Sequence, residues 1–194
     1  MQKIILASGS PRRKQLLEWA RVDFDIIVPP IEETIPDNTE LQDVPVHIAR
    51  DKASAVKAMD VYQRYEQQIP VLAADTIVVC FGQILGKPTD RDDAIRILSM
   101  LSGKKHEVMT GVFLSNGDKE EYFTEVTEVW FHNLSQQQIK FYVDEYKPYD
   151  KAGAYGIQEW IGVVGIQRIA GDFYNVMGLP VSKVIRMIDN LSNR

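Results

Sequence analysis

Cysteine is almost missing: Cys80 stands alone among 194 residues. One thiol makes no internal disulfide and no zinc site, and a chain so poor in cysteine fits a reducing compartment, so a cytoplasmic location is expected. Histidine is scarce too, with three residues and no His-x-x-x-His pair, which argues against a zinc centre. Also absent are the Gly-x-x-x-x-Gly-Lys-Ser/Thr of a P-loop and the Gly-x-Ser-x-Gly of a serine-hydrolase elbow. No segment approaches the roughly 20 apolar residues that span a bilayer. The apolar start Ile4 to Ala7 turns polar at Ser8, too soon for a secretion signal. Neither a membrane partner nor processing is expected. There is no excess of positive charge: 22 Lys and Arg stand against 27 Asp and Glu, a net charge of −5, which excludes a basic nucleic-acid coat. No repeat, low-complexity tract or polar linker divides the chain, so a single domain over residues 1–194 is expected.

What is present is ordinary globular material, 45% hydrophobic and 25% charged. Short apolar runs alternate with amphipathic stretches. Ile4 to Ala7 reads as a buried strand, followed by a helix from Pro11 to about Ala20 with Ser10 as its cap. Phe24 to Val28 reads as a second strand, stopped by Pro29 and Pro30. Helical spacing marks Asp43 to about Met59, Asp90 to Leu101 with a stop at Gly103, Ser135 to about Glu145 with Gln138 completing a capping box, and the segment after Leu179-Pro180. Val71 to Ala74 and Ile77 to Phe81 read as strand interrupted by Asp75-Thr76. Val108 to Leu114 and Tyr122 to Phe131 read as a hairpin across Ser115-Asn116-Gly117-Asp118, and Val163 to Ile169 as a last strand. The alternation predicts an α/β fold with a mixed sheet.

Four segments carry chemistry. Ser8-Gly9-Ser10-Pro11-Arg12-Arg13 puts two arginines in the first turn of a helix, where the positive end of the dipole disfavours them by a few tenths of a kcal/mol. An anion reverses that sign, and free N–H groups, two hydroxyls and two guanidiniums describe a phosphate cradle. The bland alternative is a capping serine and two solvated arginines. Asp75, flanked by apolar strand residues, must be paired, hydrogen-bonded or metal-bound, although an Asx turn at a strand end satisfies it as well. Gly86-Lys87-Pro88-Thr89 holds a lysine in a short turn, where most lysines are simply solvated. Asp150 to Gln158 is rich in glycine and alanine and lets backbone approach a ligand closely; otherwise it is a surface turn.

Taken in order, Ala-Ser-Gly-Ser-Pro-Arg-Arg, Glu32-Glu33, Ala49-Arg50-Asp51-Lys52-Ala53, Ala74-Asp75-Thr76, Gly86-Lys87-Pro88, Leu101-Ser102-Gly103, Thr110-Gly111 and Asp150-Lys151-Ala152-Gly153-Ala154-Tyr155-Gly156-Ile157-Gln158 resemble the Maf family of nucleoside triphosphate pyrophosphatases from residue 3 nearly to the C-terminus. The resemblance implies a Maf/Ham1-like (ITPase-like) α/β fold, a mixed twisted sheet with flanking helices and a cleft between two lobes. It implies hydrolysis of a nucleoside triphosphate to monophosphate and pyrophosphate with a divalent cation, Mg2+ or Mn2+, a house-cleaning activity that keeps modified nucleotides from incorporation, and a homodimer. Arg12, Thr76 and Gln158 look like the specificity positions of the branch acting on dTTP and UTP, as distinct from the 7-methyl-GTP branch. Asp75 is then expected to orient or deprotonate the attacking water. Ser8, Ser10, Arg13, Lys52, Lys87 and Lys151 are expected to bind phosphate, and Glu33 with Glu32 to hold the metal. The alternative is a nucleotide-binding regulator of cell division and septum formation in which catalysis is secondary.

Overall fold

The computed structural model describes residues 2–31, 34–36, 39–65 and 69–192. Its elements run β1 (Ile4–Leu6), α1 (Pro11–Trp19), β2 (Phe24–Ile26), α2 (Val44–Ala58), α3 (Asp60–Gln63), β3 (Val71–Cys80), β4 (Gln83–Leu85), α4 (Arg91–Leu101), β5 (Lys105–Asn116), β6 (Lys119–Phe131), α5 (Gln136–Tyr146), a 3-10 turn (Ala152–Ala154), α6 (Trp160–Gly165), β7 (Ile166–Ala170), α7 (Phe173–Met177) and α8 (Val181–Ser192). The seven strands form one mixed sheet in the order β2-β1-β3-β5-β6-β7, with β4 paired to β3. The expected mixed α/β sheet with flanking helices is what the chain forms.

Backbone contacts divide the chain into two compact units. The first takes Met1–Asp75, Thr110–Glu125 and Gly178–Arg194; the second takes Thr76–Met109 and Val126–Met177. In the first, β1 pairs in parallel with β2 (Ile4↔Phe24, Leu6↔Ile26) and with β3 (Ile5↔Val71, Leu6↔Leu72). A strand flanked on both sides reads as an unbroken apolar run, and Ile4, Ile5 and Leu6 are fully buried. Ile5, Ala7, Ile27, Ala49, Ala53, Val56, Val71, Ala73 and Phe113 form one core cluster, so α2 is packed on the sheet through its small residues. At Gly111 of β5 that packing is backbone on backbone: a Cβ there would lie 2.2 Å from the Pro45 carbonyl carbon and the Val46 nitrogen.

In the second unit, β6 and β7 pair antiparallel with a register shift at Trp130/Phe131. β4 folds back on β3 through Phe81-Gly82, both at positive φ. Helix α5 opens with the capping box Ser135–Gln138, both reciprocal bonds being made.

Three expectations need correction. Strand β3 is continuous through Asp75-Thr76, because the charge of Asp75 is met by a lysine and the backbone has no need to leave the ladder. Val163 and Val164 are in α6, and β7 begins only at Ile166. The short apolar run could not distinguish the two periods, and the Gly162 and Val163 N–H groups close a helical turn onto the Glu159 carbonyl. In the β5–β6 hairpin the two turn residues are Gly117 and Asp118, with only Gly117 at positive φ; Asn116 stays in the strand. Helices α3 and α7 and strand β4 are short elements that periodicity did not mark.

Candidate active site

In the first unit the chain runs from β1 outward to β2 and then returns past β1 to β3, so the strand order reverses at β1. Ligands of open α/β sheets bind beyond the carboxyl ends of the strands at such a switch point. The Ser8-Gly9-Ser10 loop leaves β1 there, and the bond from Ala7 N–H to the Leu72 carbonyl (2.8 Å) lays the loop alongside the Ala73–Asp75 stretch of β3.

The loop is braced from within. The Ser8 hydroxyl accepts from the Ser10 N–H (3.2 Å) and from Arg13 Nη1 (3.1 Å), and Ser10 caps α1 by accepting from the Arg13 N–H. Arg13 is buried, and its Nε donates to the Gly178 carbonyl at 2.8 Å. This arginine thus ties the loop to the start of the C-terminal segment. Arg12, one position earlier, is half-buried in the first turn of α1. The two neighbours, alike in sequence, differ in burial.

Asp75 lies three residues beyond Leu72, the last partner of β1. Its Oδ1 accepts from Lys52 Nζ of α2 at 2.7 Å, and the two side chains are 10% and 12% exposed. A buried charge needs such a partner, because a lone carboxylate at this depth would be destabilising by several kcal/mol. Lys52, expected at the phosphates, is therefore first of all the counter-ion of Asp75.

In the second unit the Gly153 N–H donates to the Gly86 carbonyl (3.1 Å), joining the Lys87 turn to the Asp150–Gln158 loop. Gly153 sits at φ +70°, and a Cβ would meet Val78 Cγ2 at 2.8 Å, so both conformation and space require glycine. Lys151 is buried, held by Asp150 Oδ1 at 2.7 Å and by Glu159 Oε1 at 3.2 Å. Glu159 Oε2 in turn accepts from the Tyr142 hydroxyl, which accepts from the Gly156 N–H at 3.0 Å. Burial first, and the Glu159 carboxylate second, push the Tyr142 phenol up from its ordinary range. Thr76 is half-buried, while Lys87 and Gln158 are exposed. Glu32 and Glu33 lie outside the described residues.

Tyr155, in the middle of the same loop, meets His106 of β5, whose Nε2 lies 2.8 Å from the phenol oxygen. Phe131 closes the cluster edge-on to both rings. His106 is 1% exposed, its Nδ1 finds no hydrogen-bond partner, and burial pushes its pKa down from 6.5 to about 4. The sequence does not single out Tyr142 or Glu159, and it shows His106 only as a histidine in or near a strand with no partner at zinc-ligand spacing. Glu159 follows the glycine-rich motif directly, and its charge next to that loop was the one available signal; Tyr142 and His106 meet the loop only through the fold.

Fold and site together define an α/β protein with a basic, hydroxyl-lined loop and a buried, lysine-paired carboxylate at a topological switch point. The family profile described as Maf-like protein matches residues 3–191, and the chain belongs to that family. It is 48% identical to a dTTP/UTP pyrophosphatase of Cytophaga hutchinsonii over 98% of this chain and 84% of that protein. It is 45% identical to a dTTP/UTP pyrophosphatase of Bacteroides fragilis over 97% of this chain and 96% of that protein. Among solved structures, the Staphylococcus aureus Ham1 protein aligns with 67% of this chain and 72% of its own at 14% identity, with a TM-score of 0.45, too weak a likeness to carry an argument.

Proposed function

We propose that this protein hydrolyses dTTP and UTP to the monophosphate and pyrophosphate in the cytoplasm, as a single Maf domain. The reading rests on the buried Lys52–Asp75 pair beside the Ser8–Ser10 loop at the switch point. It is supported by near-full-length relatives named for that activity.

Cleavage between the α and β phosphates needs a water aimed at the α phosphorus and a sink for charge on the departing pyrophosphate. Asp75 accepts a hydrogen bond from that water, and Lys52 fixes the direction of the carboxylate through Oδ1. The new bond joins the water oxygen to the α phosphorus. The bridging oxygen leaves with the β phosphate, and the water's proton passes to Asp75 or on to solvent. Ser8, Ser10 and the N–H groups opening α1 take phosphate oxygens, Arg13 holds Ser8 and adds its charge, and Arg12 is assigned to substrate choice by the family motifs. Lys87 and Lys151 are assigned to the phosphates, and Thr76 and Gln158 to the base, by the family motifs. A Gln amide offers one donor and one acceptor to an imide edge.

The donor chemistry, a carboxylate beside phosphate oxygens, fits a divalent cation. Among the described residues no group of three or more His, Cys, Asp or Glu could hold a metal on its own, and magnesium characteristically takes one or two carboxylates plus phosphate oxygens. Asp75 would be one such carboxylate, with Glu33 and Glu32 as the assigned others. When bound, the ion draws charge from the phosphate oxygens and acidifies water.

Pyrophosphate release from dTTP, UTP, CTP and the purine triphosphates, with Mg2+ or Mn2+, tests the reading. Turnover of dTTP and UTP above the others is expected, and Asp75→Asn is expected to lose on the order of 100-fold or more in kcat while retaining dTTP binding. No release from dTTP or UTP would overturn the function, and undiminished turnover by Asp75→Asn would remove Asp75 from its role.

A further inference from the structure

We propose that Glu159 is a positioning residue which, held by the Tyr142 hydroxyl, fixes the Lys151 ammonium for a phosphate group. This rests on the reading above only in taking Lys151 as a phosphate ligand. Lys151 has two carboxylate partners of unlike character. The side chain of Asp150 is 52% exposed, that of Glu159 is 19% exposed. Asp150 alone would draw the ammonium toward solvent.

Glu159 opposes that pull, and it is itself held at both oxygens, Oε1 on Lys151 and Oε2 on Tyr142. Tyr142 is fully buried in α5 and also receives the Gly156 N–H. Phenol, carboxylate, ammonium and loop backbone thus form one closed unit. Gly156 fits beneath it: a Cβ there would lie 2.8 Å from the Glu159 carboxyl carbon, and with the carboxylate held at both ends the contact could not be relieved by rotation. The same unit fixes the backbone on the C-terminal side of Gln158, while Ile157 is buried on the other. The exposed Gln158 side chain therefore leaves a backbone anchored on both sides.

If Glu159 merely competed with phosphate for the ammonium, removing it would tighten anion binding; if it positions the ammonium, removing it weakens binding. Calorimetric titration with inorganic tripolyphosphate separates these without requiring turnover. Glu159→Ala is expected to weaken binding about fivefold, Tyr142→Phe about threefold with the charge of Glu159 intact, and Glu159→Ala combined with Lys151→Ala no more than Lys151→Ala alone. Glu159→Asp, which keeps the charge and loses the reach to both partners, should behave like Glu159→Ala. Should Glu159→Ala fail to fold, Tyr142→Phe and Glu159→Asp decide. Unchanged or tighter binding in the folded variants, additive losses in the double variant, or no tripolyphosphate binding by the wild type would each overturn the proposal. Wild-type protein that binds tripolyphosphate but releases no pyrophosphate from dTTP refutes the enzymatic reading and leaves this one standing.

Discussion

Acid should destabilise this protein through His106. An imidazole that is 1% exposed, with Nδ1 unpartnered and rings of Phe131 and Tyr155 about it, has nowhere to place a second proton. Its folded pKa of about 4 lies below the ordinary 6.5. Between those values the unfolded chain binds the proton and the folded chain does not. Stability is thus fully present above pH 6.5 and is lost as the pH falls toward 4. At 1.36 kcal/mol per pH unit the loss is about 2 kcal/mol by pH 5 and about 3 kcal/mol by pH 4. Other groups titrate over the same range, so the measurement is a difference. Urea unfolding of the wild type and of His106→Gln is followed at pH 7.5, 6 and 5. His106→Gln should be less stable at pH 7.5, because the contact with Tyr155 is disturbed, and the gap should close by about 2 kcal/mol at pH 5. Two curves that stay parallel within about 0.5 kcal/mol over that range would refute the buried neutral imidazole.

At Gly111, substitution by Ala should force α2 off β5, since the added carbon has only the Pro45 and Val46 backbone to meet. A loss of roughly 1–3 kcal/mol in urea unfolding is expected, with a fall in kcat/KM because α2 carries Lys52; wild-type values for both would show that the helix can move freely. Phe81→Asn should act in the opposite direction. Phe81 is 73% exposed at φ +51°, the first of two turn residues between β3 and β4, a place suited to Asn and strained for an aromatic. A gain of about 1 kcal/mol is expected, and a lowered urea midpoint would contradict it.

Local rules located much of this fold. Ser10 caps α1 by accepting from the Arg13 N–H, Asp90 caps α4 by accepting from the Asp93 N–H, and Ser135 with Gln138 opens α5. Each is a contact between residues three apart, which sequence displays directly. Val163 and Val164 misled because β-branched residues favour strands only when packing agrees, and Val163 is 81% exposed on a helix. At the site, Asp75 stands out as a charge among apolar neighbours, but its partner Lys52 is 23 positions away, and the family motifs point that lysine to phosphate. Arg12 and Arg13 could not be told apart by type; only the position of Gly178, 165 residues on, shows that one of them is a brace. Tyr142 carries no local sign of its role, since nothing near it in sequence reveals that its hydroxyl meets Glu159.

The bond from Arg13 to Gly178 also sets an order in time. At about 5–20 residues per second, the ribosome delivers the acceptor of that bond some 10–30 s after the donor. Through that interval the Ser8–Ser10 loop, among the first residues made, lacks the carbonyl that fixes its arginine. The earliest part of the site is completed last, so a nascent or prematurely terminated chain ending before Gly178 would carry every phosphate-loop residue and its local bonds but not the bond from Arg13 Nε to Gly178.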